Sequence, residues 1–177
     1  GVQLVCVSDN MQAVNQFNGT WIGPSDPLLS TFVRTCRFMW HGLCTEGKGA
    51  AWTDLKSPAL HRKRIHNYHS DALANHALDF DNVQFFEFVQ FHTGDKIMIT
   101  SDGASRGNPG KSSVGCTVWL YRADCPPRLI AAIGMNIGVC TNVVAEFTGL
   151  WLGMHLLVDW LYMQNQNGDQ PGLFLKT

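Results

Sequence analysis

The sequence predicts an α/β fold, and three observations carry that prediction. The first is Ile97-Met98-Ile99-Thr100, a short run of β-formers that leads to Asp102, with residues 114–121 as the returning strand. Between them lie the turn formers Gly103, Gly107, Asn108, Pro109 and Gly110. The second is Val2–Ser8, another β-type run, which also ends in a carboxylate, Asp9. The third is a pair of long stretches, 27–43 and from 142 onward, whose apolar residues recur at helical spacing. Two strands that each end in an acid make Asp102 and Asp9 the first candidate site residues.

Taken in order, Val2–Ser8 is followed by Met11–Asn18, a helix with Met11, Val14 and Phe17 on one face, closed by Asn18-Gly19 before Trp21. Residues 27–43 form a second helix with Ser25 or Asp26 as its cap; its stripe of Leu28, Leu29, Phe32, Val33, Cys36, Met39, Trp40 and Leu43 belongs to a core. Residues 46–50 read as a loop and 51–55 as an edge strand. Residues 61–78 combine a loop containing Arg62-Lys63-Arg64 with a helix, and 81–95, rich in phenylalanine, read as a connector. Residues 128–135 supply a further strand. A long helix then starts at a Thr141 or Asn142 cap, with Glu146 in its first turns and Leu150, Trp151, Met154, Leu157, Trp160 and Leu161 available to the core. Residues 164–172 read as a loop and 173–177 as a short apolar tail.

Composition narrows the function classes. The 177 residues are 45% hydrophobic and 15% charged, enough for one domain with a good core and far from a disordered composition. No apolar run reaches transmembrane length, so a soluble protein without membrane partners is expected. A net charge of −1 argues against an electrostatic grip over the whole surface and leaves room for a local basic patch. Six cysteines without a CxxC pair read as reduced core or surface thiols and argue against a zinc site.

The run Ser101-Asp102-Gly103-Ala104-Ser105-Arg106-Gly107-Asn108-Pro109-Gly110 resembles the opening of the ribonuclease H domain, in particular the ribonuclease H-like domains of plants and non-LTR retroelements. Thr141-Asn142-Val143-Val144-Ala145-Glu146 is similar to the family's glutamate helix. Val7 to Trp21 is similar to its fourth strand and aspartate, with Asn10 where the family commonly has serine. Residues 61–78 resemble its final loop and helix: Asn67 precedes Asp71 by four residues, and His61 precedes it by ten, the spacing of the family's mobile-loop histidine. The resemblance implies a mixed five-stranded sheet flanked by helices. The family's second half, residues 1–80, here precedes its first, residues 96–177, with 81–95 bridging them. The chain therefore reads as circularly permuted, with Gly1 and Thr177 meeting in a surface loop, or as a window cut from a tandem array. A monomer and a domain-swapped dimer are the respective expectations.

On this resemblance the chain is expected to be an intracellular enzyme, nuclear or cytoplasmic, that cuts the RNA strand of RNA/DNA hybrids. Phosphodiester hydrolysis needs a nucleophile and neutralisation of charge on the attacking and leaving oxygens, which two divalent cations supply. Mg²⁺ prefers oxygen ligands, so Asp102, Glu146, Asp9 and Asp71 are the expected ligands of two Mg²⁺ ions, with Mn²⁺ as a substitute. His61 is expected to assist proton transfer or product release. Gly103, Ser105, Asn108 and Asn142 are expected to meet the 2′-hydroxyl side of the hybrid, and Thr141 and Trp21 its DNA strand. The alternative is a catalytically silent domain of this fold that binds nucleic acid or serves as a scaffold. Read singly, Asp102-Gly103 is a turn signal, Glu146 an early-helix acid and His61 a surface residue.

Overall fold

Alternation along the strands decides which helix covers which face. The computed structural model describes residues 2–21, 26–45, 49–51 and 59–166. In chain order the elements are β1 (Val2–Ser8), α1 (Met11–Asn18), α2 (Pro27–Thr45), β2 (Gly49–Ala51), β3 (Ala59–His61), a 3₁₀ turn (Arg64–His66), α3 (Tyr68–Asp79), β4 (Val83–Phe86), β5 (Lys96–Gly107), β6 (Gly110–Tyr121), β7 (Arg128–Cys140) and α4 (Asn142–Gln166). They form one mixed sheet of seven strand segments in the order β2-β1-β5-β6-β7-β4, with β3 also on β1. β1 is parallel to β2, β3 and β5, whereas β5, β6, β7 and β4 pair antiparallel.

On β5, Ile99 lies against Gly153 of α4, while the next residue, Thr100, meets Ser70 of α3 through their hydroxyls at 2.5 Å. On β6, Gly115 lies against Ser70 and Cys116 against Gly153. Successive side chains point to opposite faces, so α3 covers one face and α4 the other. The α4 face holds the larger core: Leu4, Cys6, Ile97, Ile99, Cys116 and Val118 pack with Phe147, Leu150, Met154 and Leu157, and with Phe17, Val33, Cys36 and Trp40 from α1 and α2. The α3 face is closer and more polar. Thr100 and Thr117 share a hydrogen bond at 2.6 Å, Trp119 Nε1 donates to Thr117 at 2.8 Å, and Ser113 donates to the Ala74 carbonyl at 2.5 Å. Asp26 Oδ1 accepts from the Leu29 amide at 2.8 Å and caps α2, and Thr141 caps α4 through the Val144 amide at 3.4 Å. Burial pushes the Cys36 and Cys116 thiols up to about 12, so both serve as packing.

Several expectations are corrected. Among the described residues the sheet has six positions rather than five, because the phenylalanine-rich connector contributes β4, registered from Val83 opposite Gly134 to Phe86 opposite Ala131. The outer edge of β7 presents unpaired backbone N–H and C=O groups, which the backbone of β4 satisfies, and aromatic residues favour the strand conformation this requires. The edge strand on β1 is split. Leu4 faces Ala51 and Cys6 faces Ala59, so β2 and β3 pair with successive stretches of β1; of the expected strand 51–55, only Ala51 lies within the described residues. His61 ends β3, opposite Ser8, instead of lying in a free loop. β7 and α4 run further than read, to Cys140 and Gln166. The strand expected to end at Asp102 continues to Gly107, with Asp102 opposite Gly115, so the turn proper is only at 107–110. Ser25, Gly1, Thr177 and the tail 173–177 lie outside the described residues, and with them the expected meeting of the ends.

A Cβ on Gly115 would stand 1.9 Å from the Ser70 carbonyl oxygen, so the seating of α3 requires this glycine. Gly115→Ala should lower stability by about 2–3 kcal/mol, by overpacking. Gly42, inside α2 with nothing near its Cβ position, should gain about 0.5–1 kcal/mol as alanine from helix propensity. Denaturant unfolding of both variants checks the pair; an unchanged midpoint for Gly115→Ala would contradict the close seating.

Candidate metal centre

The site forms where a ladder stops. β1 pairs with β5 from Gln3 opposite Lys96 to Val7 opposite Thr100 and no further. Asp9 follows the end of β1, and Asp102 lies just past the last pair, so both emerge at the same notch. By alternation Asp102 shares a face with Thr100 and lies toward α3. Glu146 arrives from the other side, in the second turn of α4. A Cβ on Gly103 would stand 2.5 Å from the Glu146 amide nitrogen, so this glycine lets α4 approach closely enough. One ligand oxygen from each of Asp9, Asp102 and Glu146 can be chosen so that all lie within 4.8 Å of one another.

Buried donors hold the acids in place. Ser8 Oγ donates to Glu146 Oε2 at 3.3 Å, and Asn10 and the Gly103 amide also bond to this carboxylate. Asn10 meanwhile accepts from the Ala13 amide at 3.0 Å, capping α1. Asn10 thus does two tasks. Asn67, 2% exposed, donates through Nδ2 to Asp9 Oδ1 at 3.2 Å and to the Ser101 carbonyl at 2.8 Å. Asp71 stands in the first turn of α3. Its carboxylate bonds toward Asp102, pairs with Arg64, and accepts from Asn75 Nδ2 at 3.2 Å.

Burial, followed by the charges of Glu146 and Asp9, raises Asp102 to about 9. Glu146 rises to about 7 because burial and the Asp9 charge outweigh the Asn10, Ser8 and Gly103 hydrogen bonds. A compact set of hard oxygens, two of the three carboxylates buried, that repel one another is what a divalent cation relieves, so these residues fit Mg²⁺.

The remaining site candidates divide. Gly103, Ser105 and Asn142 line the cleft together with Asp9, Asp102, Glu146, Arg64 and Arg106. Asn108 and Thr141 do not line it. Asn108 Oδ1 accepts from the Asn142 amide at 3.0 Å and so ties the hairpin tip to the start of α4. Trp21, 51% exposed beyond the end of α1, is also outside the cleft lining. His61 Nε2 lies 3.0 Å from the Asp9 carbonyl oxygen, at the border of the acidic group. Sequence reasoning missed Ser8 and Arg64 as site residues. Arg64 read as part of a solvated basic loop, and no helical spacing links it to Asp71.

No protein-family model matches the chain, and no solved structure matches it significantly. A bifunctional protein of Mycobacterium tuberculosis is 44% identical over 59 residues, which are 33% of this chain and 15% of that protein. An uncharacterized protein of Mycobacterium bovis matches to the same extent. An Arabidopsis thaliana protein named "Putative ribonuclease H protein" is 36% identical over 59 residues, 33% of this chain and 9% of that protein. The likeness hints at a ribonuclease H-like domain over a third of the chain. Among the described residues no helix is long and apolar enough to cross a membrane.

The raised carboxyls give a pH signature. In the metal-free protein the fold holds protons on Asp102 and Glu146 that the unfolded chain releases near 3.8 and 4.5. Their contribution is full below about pH 4 and is lost as pH rises through about 7 and 9. Asp102→Asn should therefore melt a few degrees higher than the parent at pH 8 without metal, and the difference should vanish toward pH 4. Thermal melts across that range test it, and parallel curves would contradict the strain.

Proposed function

We propose that this chain is a metal-dependent endonuclease that hydrolyses the RNA strand of RNA/DNA hybrids. The convergence of Asp9, Asp102 and Glu146, from three separate segments, at one notch in an α/β sheet carries the reading. The partial likeness to the plant protein and the motif resemblances support it.

Asp9, Asp102 and Glu146 would hold two divalent cations, with Asp71 completing the set. When bound, such cations activate water and neutralise charge on the attacking and leaving oxygens. The chain's own residues provide the rigidity. Asn67 fixes the Asp9 carboxylate against the β5 backbone, and Ser8, Asn10 and the Gly103 amide fix that of Glu146. His61, beside Asp9, is assigned proton transfer or product release. The backbone at Gly103 and the polar side chains of Ser105 and Asn142 in the cleft are assigned contact with the RNA 2′-hydroxyls. Ser105 is oriented for this by donating to the Gly107 carbonyl and accepting from Ser112. Asn108 and Thr141 support that surface indirectly, by holding the start of α4.

The chain order is read as permuted, with β4 lying in the segment that joins the family's former ends. The grouping of Asp9, Asp102 and Glu146 within one chain, with Asp71 bonded toward Asp102, supports a site completed without a partner.

Incubation of the protein with labelled RNA/DNA hybrid should give Mg²⁺-dependent cleavage of the RNA strand only, and Asp102→Asn should reduce it to background while remaining folded. Tight Mg²⁺ binding without cleavage would favour a silent nucleic-acid-binding module. Full cleavage by Asp102→Asn would sink the assignment.

A further inference from the structure

Arg64 lines the cleft and pairs with Asp71, yet the reaction as proposed gives it no task. Its Nη2 donates to Asp71 Oδ1, and the guanidinium also lies in the field of Asp102 and Asp9. The side chain is 68% exposed and stands on the 3₁₀ turn that leads into α3, so the rest of its donor fork faces the cleft mouth. Arg106, which also lines the cleft, is differently placed: both Asp79 oxygens hold it, at 2.5 and 2.6 Å, away from the acidic group. Arg64 is thus an arginine pointed at the carboxylates themselves.

We infer that Arg64 is a built-in counter-ion for the fourth carboxylate, which gives Asp71 up to an arriving divalent cation and then turns its fork to a substrate phosphate. The inference rests on the metal-dependent reading above. A guanidinium hydrogen-bonded to a carboxylate oxygen competes with a hard cation for that oxygen, and the two positive charges repel. Arg64 is exposed while Asp71 is half-buried, so solvent reaches the pair from the arginine side, screens it and eases the exchange. Once released, five donors in a planar fork at the mouth of a nuclease cleft match a phosphate better than any single ammonium would. Asp71 stays oriented through the exchange because Asn75 still donates to it and to its backbone carbonyl, at 3.2 and 2.9 Å.

The opposing account is that Arg64 merely orders Asp71, and the two differ in sign. If Arg64 competes with the cation, its removal tightens metal binding; if it orders the ligand, removal weakens it. Calorimetric titration of Mn²⁺ into the substrate-free protein decides between them. Arg64→Ala should bind the weaker of two ions about three- to tenfold more tightly, as loss of one nearby positive charge requires. The gain should shrink in an Asp71→Asn background, where the competition has been removed. Arg64→Lys should keep near-parental Mn²⁺ affinity because it keeps the charge. With hybrid at saturating Mg²⁺, both Arg64 variants should show a raised KM and a nearly unchanged kcat, since both lack the fork. Unchanged or weaker Mn²⁺ binding by a folded Arg64→Ala would overturn the inference while leaving the nuclease reading intact. Absence of any Mn²⁺ binding by the parent protein would overturn both.

Discussion

Repulsion among three carboxylates gathered within 4.8 Å is the constraint the neighbourhood is built to withstand. Like charges brought together out of water disfavour ionisation, and here they are held on β1, β5 and α4 by elements that cannot easily separate. Two close approaches lock the helices down: α4 at Gly103 and Gly153, and α3 at Gly115 and Gly134. Four donors, Ser8, Asn10, Asn67 and the Gly103 amide, then point at the acids. Local stability is lower than packing alone would allow, which is common where a fold is shaped for chemistry.

The elements that declared themselves in the sequence are those whose own residues suffice to make them. Val2–Ser8 and Met11–Asn18 form with the expected bounds, the first as a buried apolar run and the second between an Asn10 cap and a left-handed Gly19. β3 and β4 were not legible, since they are three and four residues long and gain their hydrogen bonds from the open edges of β1 and β7. Asp102 was misplaced at a strand end for a related reason. Gly103 looks like punctuation in a one-dimensional reading, but its missing side chain makes room for α4 while the strand continues.

For the site, the acids were readable and their supports mostly were not. Asp9, Asp102 and Glu146 were each identified beside a recognisable strand or helix start, and the structure brings them together. Asp71 depended on its spacing from Asn67. That Ser8 meets Glu146 across 138 positions, or that Arg64 reaches forward over a turn to a helix residue, is a fact of the fold that the sequence does not announce. Asn67 is intermediate: spacing singled it out, and only the fold shows that its amide joins the Asp9 carboxylate to the Ser101 carbonyl.

The split edge of the sheet has a consequence for how this chain tolerates change. Ala51 and Ala59 stand opposite Leu4 and Cys6, neighbouring register positions on β1, so the chain between them is anchored at two nearby points. Inserting residues between two such fixed points costs only logarithmically in chain entropy. The sheet would register none of it, because β1 keeps its partners on both sides of the gap. This edge is accordingly a place where sequence of another origin can be accommodated without disturbing the notch at the far end of β1.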